Sequence, residues 1–149
     1  MKLIIYTDGG ARGNPGPAGI GVVIYRVSPS SEKPEVNNSV LVEFGKCIGS
    51  TTNNVAEYTA VIEALRWIAG HTDHEDRERI EFHLDSSLVV NQVNGVFRVK
   101  DGKLRSLLTA VRILEQEIGD TIRYQYVPRE QNRRADALVN RALDTVGTP

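Results

Sequence analysis

The sequence predicts an α/β fold: a five-stranded mixed sheet, opening as a three-strand antiparallel meander, continued by parallel strands, with helices on both faces. Three observations predict it. Apolar runs separated by turn-rich segments fill the first third of the chain, as strands do. Helical periodicity begins only after Thr51-Thr52-Asn53-Asn54. Beyond that point strand-like runs alternate with helical stripes, which implies βαβ-type crossovers covering a sheet.

Leu3 to Thr7 is apolar on both faces, the mark of a buried strand. Gly9 to Pro17 holds four glycines and two prolines and reads as a loop; Ile20 to Val27 is the second strand. Ser28 to Ser39 is polar with two prolines and reads as a hairpin tip before the third strand, Val40 to Ile48. Val55, Tyr58, Ile62, Leu65 and Ala69 then form one stripe of an amphipathic helix ending near Gly70. A charged loop, His71 to Arg79, leads to the fourth strand, Ile80 to Leu84. Ser86 to Asn94 is a short helix stopped by Gly95. Leu104, Leu107, Leu108, Val111, Leu114 and Ile118 mark a longer one stopped by Gly119. Thr121 to Val127 is the fifth strand, Pro128 to Asn132 a loop, and Ala135, Leu138, Val139, Ala142 and Val146 define the last helix.

A length of 149 residues suits one domain spanning 1–149, with 40% apolar and 25% charged residues, as in a soluble globular protein. No apolar stretch approaches the roughly 18 residues of a membrane span. One cysteine, Cys47, excludes an internal disulfide framework, and no signal-peptide pattern precedes the first strand, so a cytoplasmic setting is expected. Cys47 sits among apolar residues with no nearby histidine and reads as a buried strand residue. No heptad or long apolar edge argues for more than a monomer. The net charge of −1 hides an asymmetry: Asn53 to Asp85 carries 3 basic and 8 acidic residues, Arg98 to Arg134 carries 9 basic and 5 acidic. That split suits metal ions in one half and a phosphate backbone against the other, but any solvated surface can fluctuate this much.

Asp8, Glu57, Asp85 and Asp136 stand at strand ends and helix starts, the positions that converge on the rim of an open α/β sheet. Each has an ordinary explanation alone: an Asp-Gly turn, a capping box after Asn54, a cap before Ser86-Ser87, a solvated helix position. Gathered together they could not all stay ionised without counter-charge, and hard divalent cations with oxygen ligands supply it. A pair of such ions is a standard device for cleaving phosphodiesters.

The chain resembles the type 1 ribonuclease H family over nearly its whole length. The resemblance is carried by Thr7-Asp8-Gly9-Gly10 with Gly13-Asn14-Pro15-Gly16-Pro17, by Thr51 to Glu57, by Leu84-Asp85-Ser86, and by Asn132 to Asp136 followed by Ala137-Leu138. It implies endonucleolytic cleavage of the RNA strand of an RNA–DNA hybrid, leaving 3′-hydroxyl and 5′-phosphate ends. It also implies two Mg²⁺ or Mn²⁺ ions held by Asp8, Glu57, Asp85 and Asp136, with Asp8 bridging. One ion would activate a water and the other would stabilise the departing oxygen. Asn14, Asn53 and Asn54 match positions that contact the hybrid across the minor groove, where the RNA 2′-hydroxyl is read. Thr52 matches a position that grips a phosphate of the DNA strand.

Two departures from the family stand out. The loop Pro128-Arg129-Glu130-Gln131-Asn132 lacks the family's histidine, and Arg129 or Glu130 is the expected partial substitute. His71 and His74 read as solvated and His83 as structural. Between Gly95 and Leu104 the basic helix and loop of some members are missing. Arg98, Lys100, Lys103 and Arg105 are left as backbone contacts, and affinity is expected to be modest and salt-sensitive. Two rival readings are another nuclease or strand-transferase on a related sheet, and a non-catalytic hybrid-binding module. The asparagines argue against the first and the full set of four acids against the second.

Overall fold

The structure is a computed structural model describing residues 1–30 and 39–146. Most of the expected hairpin tip at Ser28–Ser39 lies outside the described residues. β1 (Lys2–Ala11), β2 (Gly16–Val27) and β3 (Val40–Thr51) form the antiparallel meander. β4 (Arg79–Leu84) and β5 (Ile122–Tyr126) extend it in parallel from the other side of β1, giving the order β3-β2-β1-β4-β5. The helices are α1 (Asn53–His71), α2 (Ser87–Val93), α3 (Gly102–Ile118) and α4 (Arg133–Val146), with a single 3₁₀ turn at Arg129–Gln131. This is the five-stranded mixed sheet the sequence predicts.

Each face of the sheet has its own core. Leu3, Ile5, Val22, Ile24, Phe82 and Tyr124 point to the face covered by α1, α2 and α3. Ile4 and Val23 point to the opposite face, against Ala135 and Leu138 of α4. The alternation along β1 thus sends odd-numbered side chains under three helices and even-numbered ones under the fourth. Helices therefore lie on both faces, as expected.

The Gly9–Pro17 segment differs from its expectation as a loop. β1 runs on to Ala11 and β2 begins at Gly16, so that Asp8 pairs with Gly21 and Ala11 with Ala18; only a tight turn at Arg12–Pro15 remains. Asp8 is therefore inside a strand rather than at its end. The parallel neighbour, however, stops at the Thr7–Leu84 pair, so Asp8 is the first β1 residue beyond the carboxyl end of β4. The glycines here serve close packing as well as turning. A Cβ on Gly9 would lie 2.3 Å from the Ala56 carbonyl, which means α1 rests directly on the β1 backbone.

α1 is buried more widely than its predicted stripe. Ala56, Ala60, Val61, Ala64 and Ile68 are fully buried, because the helix is held between β1 on one side and α3 on the other. Its start is set by Thr52, whose Oγ1 accepts from the Val55 N–H at 3.3 Å. Glu57 then falls in the second turn, too far along for a capping box. Ser86 caps α2 and Asp101 caps α3, whose end is closed by Gly119 at φ 76°. Cys47, expected to be buried, is half-buried; its Sγ–H donates to the Ala142 carbonyl at 3.0 Å.

Candidate active site

The sheet topology delivers the acids. β1 and β4 are adjacent and parallel, so Asp8 and Asp85 leave the same end of the sheet. The contact between Gly9 and Ala56 brings the second turn of α1, and with it Glu57, against that end. α4 approaches from the opposite face over strand glycines. A Cβ on Gly21 would lie 2.2 Å from the Ala135 carbonyl, and one on Gly45 would lie 2.6 Å from that of Leu138. Bulkier residues in β2 and β3 would lift α4 and carry Asp136 away with it. Asn132, buried just before α4, donates from Nδ2 to the Thr7 carbonyl at 2.8 Å and ties the helix start to β1.

The result is an open cleft of about 420 Å³ lined by all four acids, with Asn53, Arg12, Arg129 and Asn140 also on its walls. Carboxylate oxygens of Asp8, Glu57 and Asp85 lie within 4.8 Å of one another. Asp136 belongs to the same cleft but stands outside that triplet; its carboxylate is 3.7 Å from Arg129 Nη2 and accepts from Asn140 Nδ2 at 3.4 Å.

Crowding and burial make the cluster electrostatically expensive. Burial, followed by repulsion from Asp85, pushes Asp8 up to about 8. Glu57 is pushed well above its ordinary value, first by burial and then by Asp8 and Asp85. Asp85 is raised too, by burial, against the opposing pull of the Asn132 amide and Arg129. One oxygen, Glu57 Oε2, is buried with no hydrogen-bond partner. A buried orphan acceptor among repelling carboxylates is what a hard cation would satisfy, so the donor set fits a divalent metal.

The other expected residues divide into two groups. Asn14 Oδ1 accepts from the Asn53 N–H at 3.0 Å, and Asn53 Oδ1 accepts from the Ala11 N–H at 2.8 Å. These bonds clip the Arg12–Pro15 turn to the start of α1, with Thr52 and Asn54 alongside in sequence. Arg98, Lys100, Lys103 and Arg105 are exposed, but none lines the cleft; they lie between α2 and the first turn of α3. Of the two loop substitutes, Arg129 lines the cleft and Glu130 does not. His83 stacks at a tilt on Tyr6, 4.7 Å between ring centres, and bonds Gln125 at 2.9 Å, a structural setting. His71 is exposed and stacks on Trp67, and His74 is exposed against Asp120. Sequence reasoning missed Arg12, hidden in what looked like a turn, and the packing glycines Gly21 and Gly45. A glycine recurring inside an otherwise apolar strand was the available signal.

Fold and site together define a ribonuclease H-like protein. A family profile described as reverse transcriptase-like matches residues 6–142. The crystal structure of LC11-RNase H1 in complex with RNA/DNA hybrid superposes with a TM-score of 0.86 at 42% identity, covering 99% of this chain and 100% of that one. Ribonuclease HI of Halobacterium salinarum is 40% identical over 143 residues, covering 96% of this chain and 65% of that protein. A bifunctional protein of Mycobacterium tuberculosis is also 40% identical, over 146 residues, although this chain spans only 36% of its length. The chain belongs to the type 1 ribonuclease H family.

Proposed function

We propose that this chain hydrolyses the RNA strand of RNA–DNA hybrids using two Mg²⁺ or Mn²⁺ ions, leaving 3′-hydroxyl and 5′-phosphate ends. The observation that carries the reading is the meeting of Asp8, Glu57 and Asp85 oxygens within 4.8 Å from three distant segments. Similarity to an RNase H1 solved with an RNA/DNA hybrid supports the substrate.

When bound, the cations supply an activated water and charge stabilisation for the departing oxygen. The chain's own residues do the rest. Asp8, Glu57 and Asp85 hold the ions, and Asp136 completes the ligand set from α4. Arg129, beside Asp136, covers part of the role of the absent loop histidine. Asn14 and Asn53 have their carbonyl oxygens fixed by backbone N–H groups, so each offers its amide hydrogens to a 2′-hydroxyl in the minor groove. Asn54 joins them on the first turn of α1. Thr52 accepts from Val55 through its oxygen and keeps its O–H to donate to a DNA-strand phosphate beside the positive end of α1. Arg98, Lys100, Lys103 and Arg105 meet the backbone outside the cleft, which makes binding salt-sensitive.

The reading includes a single catalytic domain over 1–149, acting as a cytoplasmic monomer without membrane contact. Among the described residues no helix is long and apolar enough to cross a membrane. Matched RNA–DNA, RNA–RNA and DNA–DNA duplexes, incubated with Mg²⁺, with Mn²⁺ and with chelator, test the proposal. Cleavage confined to the RNA of the hybrid, and dependent on metal, is expected. Equal cleavage of DNA–DNA, or undiminished cleavage under chelation, overturns it.

A further inference from the structure

We infer that Arg12 is a substrate-positioning residue, which Asp144 holds in place and releases to a backbone phosphate of the hybrid. The inference rests on the hydrolase reading above and extends the site beyond its metal ligands. Arg12 lines the same cleft as the four acids. β1 carries it away from Asp8 by four residues, roughly 13 Å at ~3.3 Å per residue. At ~3.4 Å of rise per nucleotide, that reach corresponds to a phosphate about two to four nucleotides from the cleaved bond.

The position is rigid. The Arg12 N–H donates to the Pro17 carbonyl at 2.8 Å, and the preceding residue is bonded to Asn53 at the start of α1. From α4, Asp144, which lies outside the cleft lining, accepts from Arg12 Nη2 at 2.5 Å. Both side chains are substantially exposed, 47% and 68%, and an exposed pair of this kind adds little to stability. What it does is aim a guanidinium along a cleft otherwise dominated by carboxylates. Arg12 and Arg129 are the cations on the cleft walls. A planar fork with five donors can keep part of its bonding to Asp144 while offering parallel N–H groups to a phosphate.

The role separates from a structural one by the sign of two substitutions. Steady-state cleavage of a short hybrid is measured for wild type, R12A, R12K and D144N across a KCl series. R12A is expected to raise KM about tenfold while kcat stays within about twofold. It should also flatten the slope of log kcat/KM against log salt by about 0.9, one phosphate contact. R12K should keep the slope with an intermediate KM, because it keeps the charge and loses the fork. D144N should lower KM, since it frees the guanidinium for substrate. Unchanged KM and salt slope in R12A overturn the inference, as does a rise in KM in R12A and D144N alike. Failure of the wild type to cut hybrids would instead overturn the function on which the inference rests.

Discussion

Gly9 and Ala56 touch backbone to backbone: a Cβ on the glycine would sit 2.3 Å from the alanine carbonyl carbon and oxygen. That contact sets the separation of Asp8 and Glu57, one residue away on either side. G9A must push α1 off β1, at a cost of about 1–3 kcal/mol from overpacking, and should reduce cleavage at least about 100-fold. G70A, in the last turn of the same helix with nothing within 4 Å, should stabilise the protein by about 0.5–1 kcal/mol and leave cleavage intact. Chemical denaturation and hybrid cleavage of the two variants check the pair of outcomes.

The cluster predicts a pH-dependent stability with an unusual sign. Asp8 is raised from 3.8 to about 8, so the metal-free folded state binds this proton more tightly than the unfolded chain does. Its contribution is fully present below about pH 4 and is lost as pH rises through about 8. Metal-free protein should therefore show a lower Tm at pH 8.5 than at pH 6, and Mn²⁺ should raise Tm more at the higher pH. D8N should remove much of that pH dependence while abolishing cleavage. Thermal unfolding with and without chelator measures both effects.

Arg129 and Glu130 are neighbours in sequence with different surroundings, since only Arg129 lines the cleft, 3.7 Å from Asp136. R129A should lower kcat about tenfold with little change in KM, whereas E130A should leave both within about twofold. Equal effects of the two substitutions would remove the assignment.

Much of this architecture was legible in the sequence because it rests on short-range signals. Helical stripes, strand runs and the glycine stop at Gly119 follow from local periodicity and backbone freedom. The four acids were legible because each follows an apolar run or a helix-start signal, although pairing with β2 places Asp8 inside β1 rather than at its end. What escaped was set by contacts between distant segments. The extension of β1 through Gly9 and Gly10 arises from pairing with β2, which local composition disguises as a turn. The wide burial of α1 arises from α3 on its outer side. The displacement of Asp136 from the tight triplet depends on how low α4 sits on Gly21 and Gly45, a height that no single segment encodes.

At the end of the sheet remote from the cleft, Arg77 is buried and donates to the Thr72 carbonyl at 2.7 Å and the Ile118 carbonyl at 3.0 Å, with Asp120 at 3.5 Å. It thereby closes the ends of α1 and α3 together. R77A should cost about 3 kcal/mol, because buried acceptors lose their partner, while kcat on the hybrid stays near native below the new Tm. Denaturant unfolding beside a cleavage assay separates this purely structural role from those in the cleft.

The central claim is that repelling carboxylates on one rim are a seat for divalent cations. Calorimetric titration of Mn²⁺ into wild-type protein and D8N at pH 8 tests it most directly. Saturable binding with proton release in the wild type, weakened at least about tenfold in D8N, is the predicted result. No binding to the wild type, or equal binding to both proteins, would contradict it.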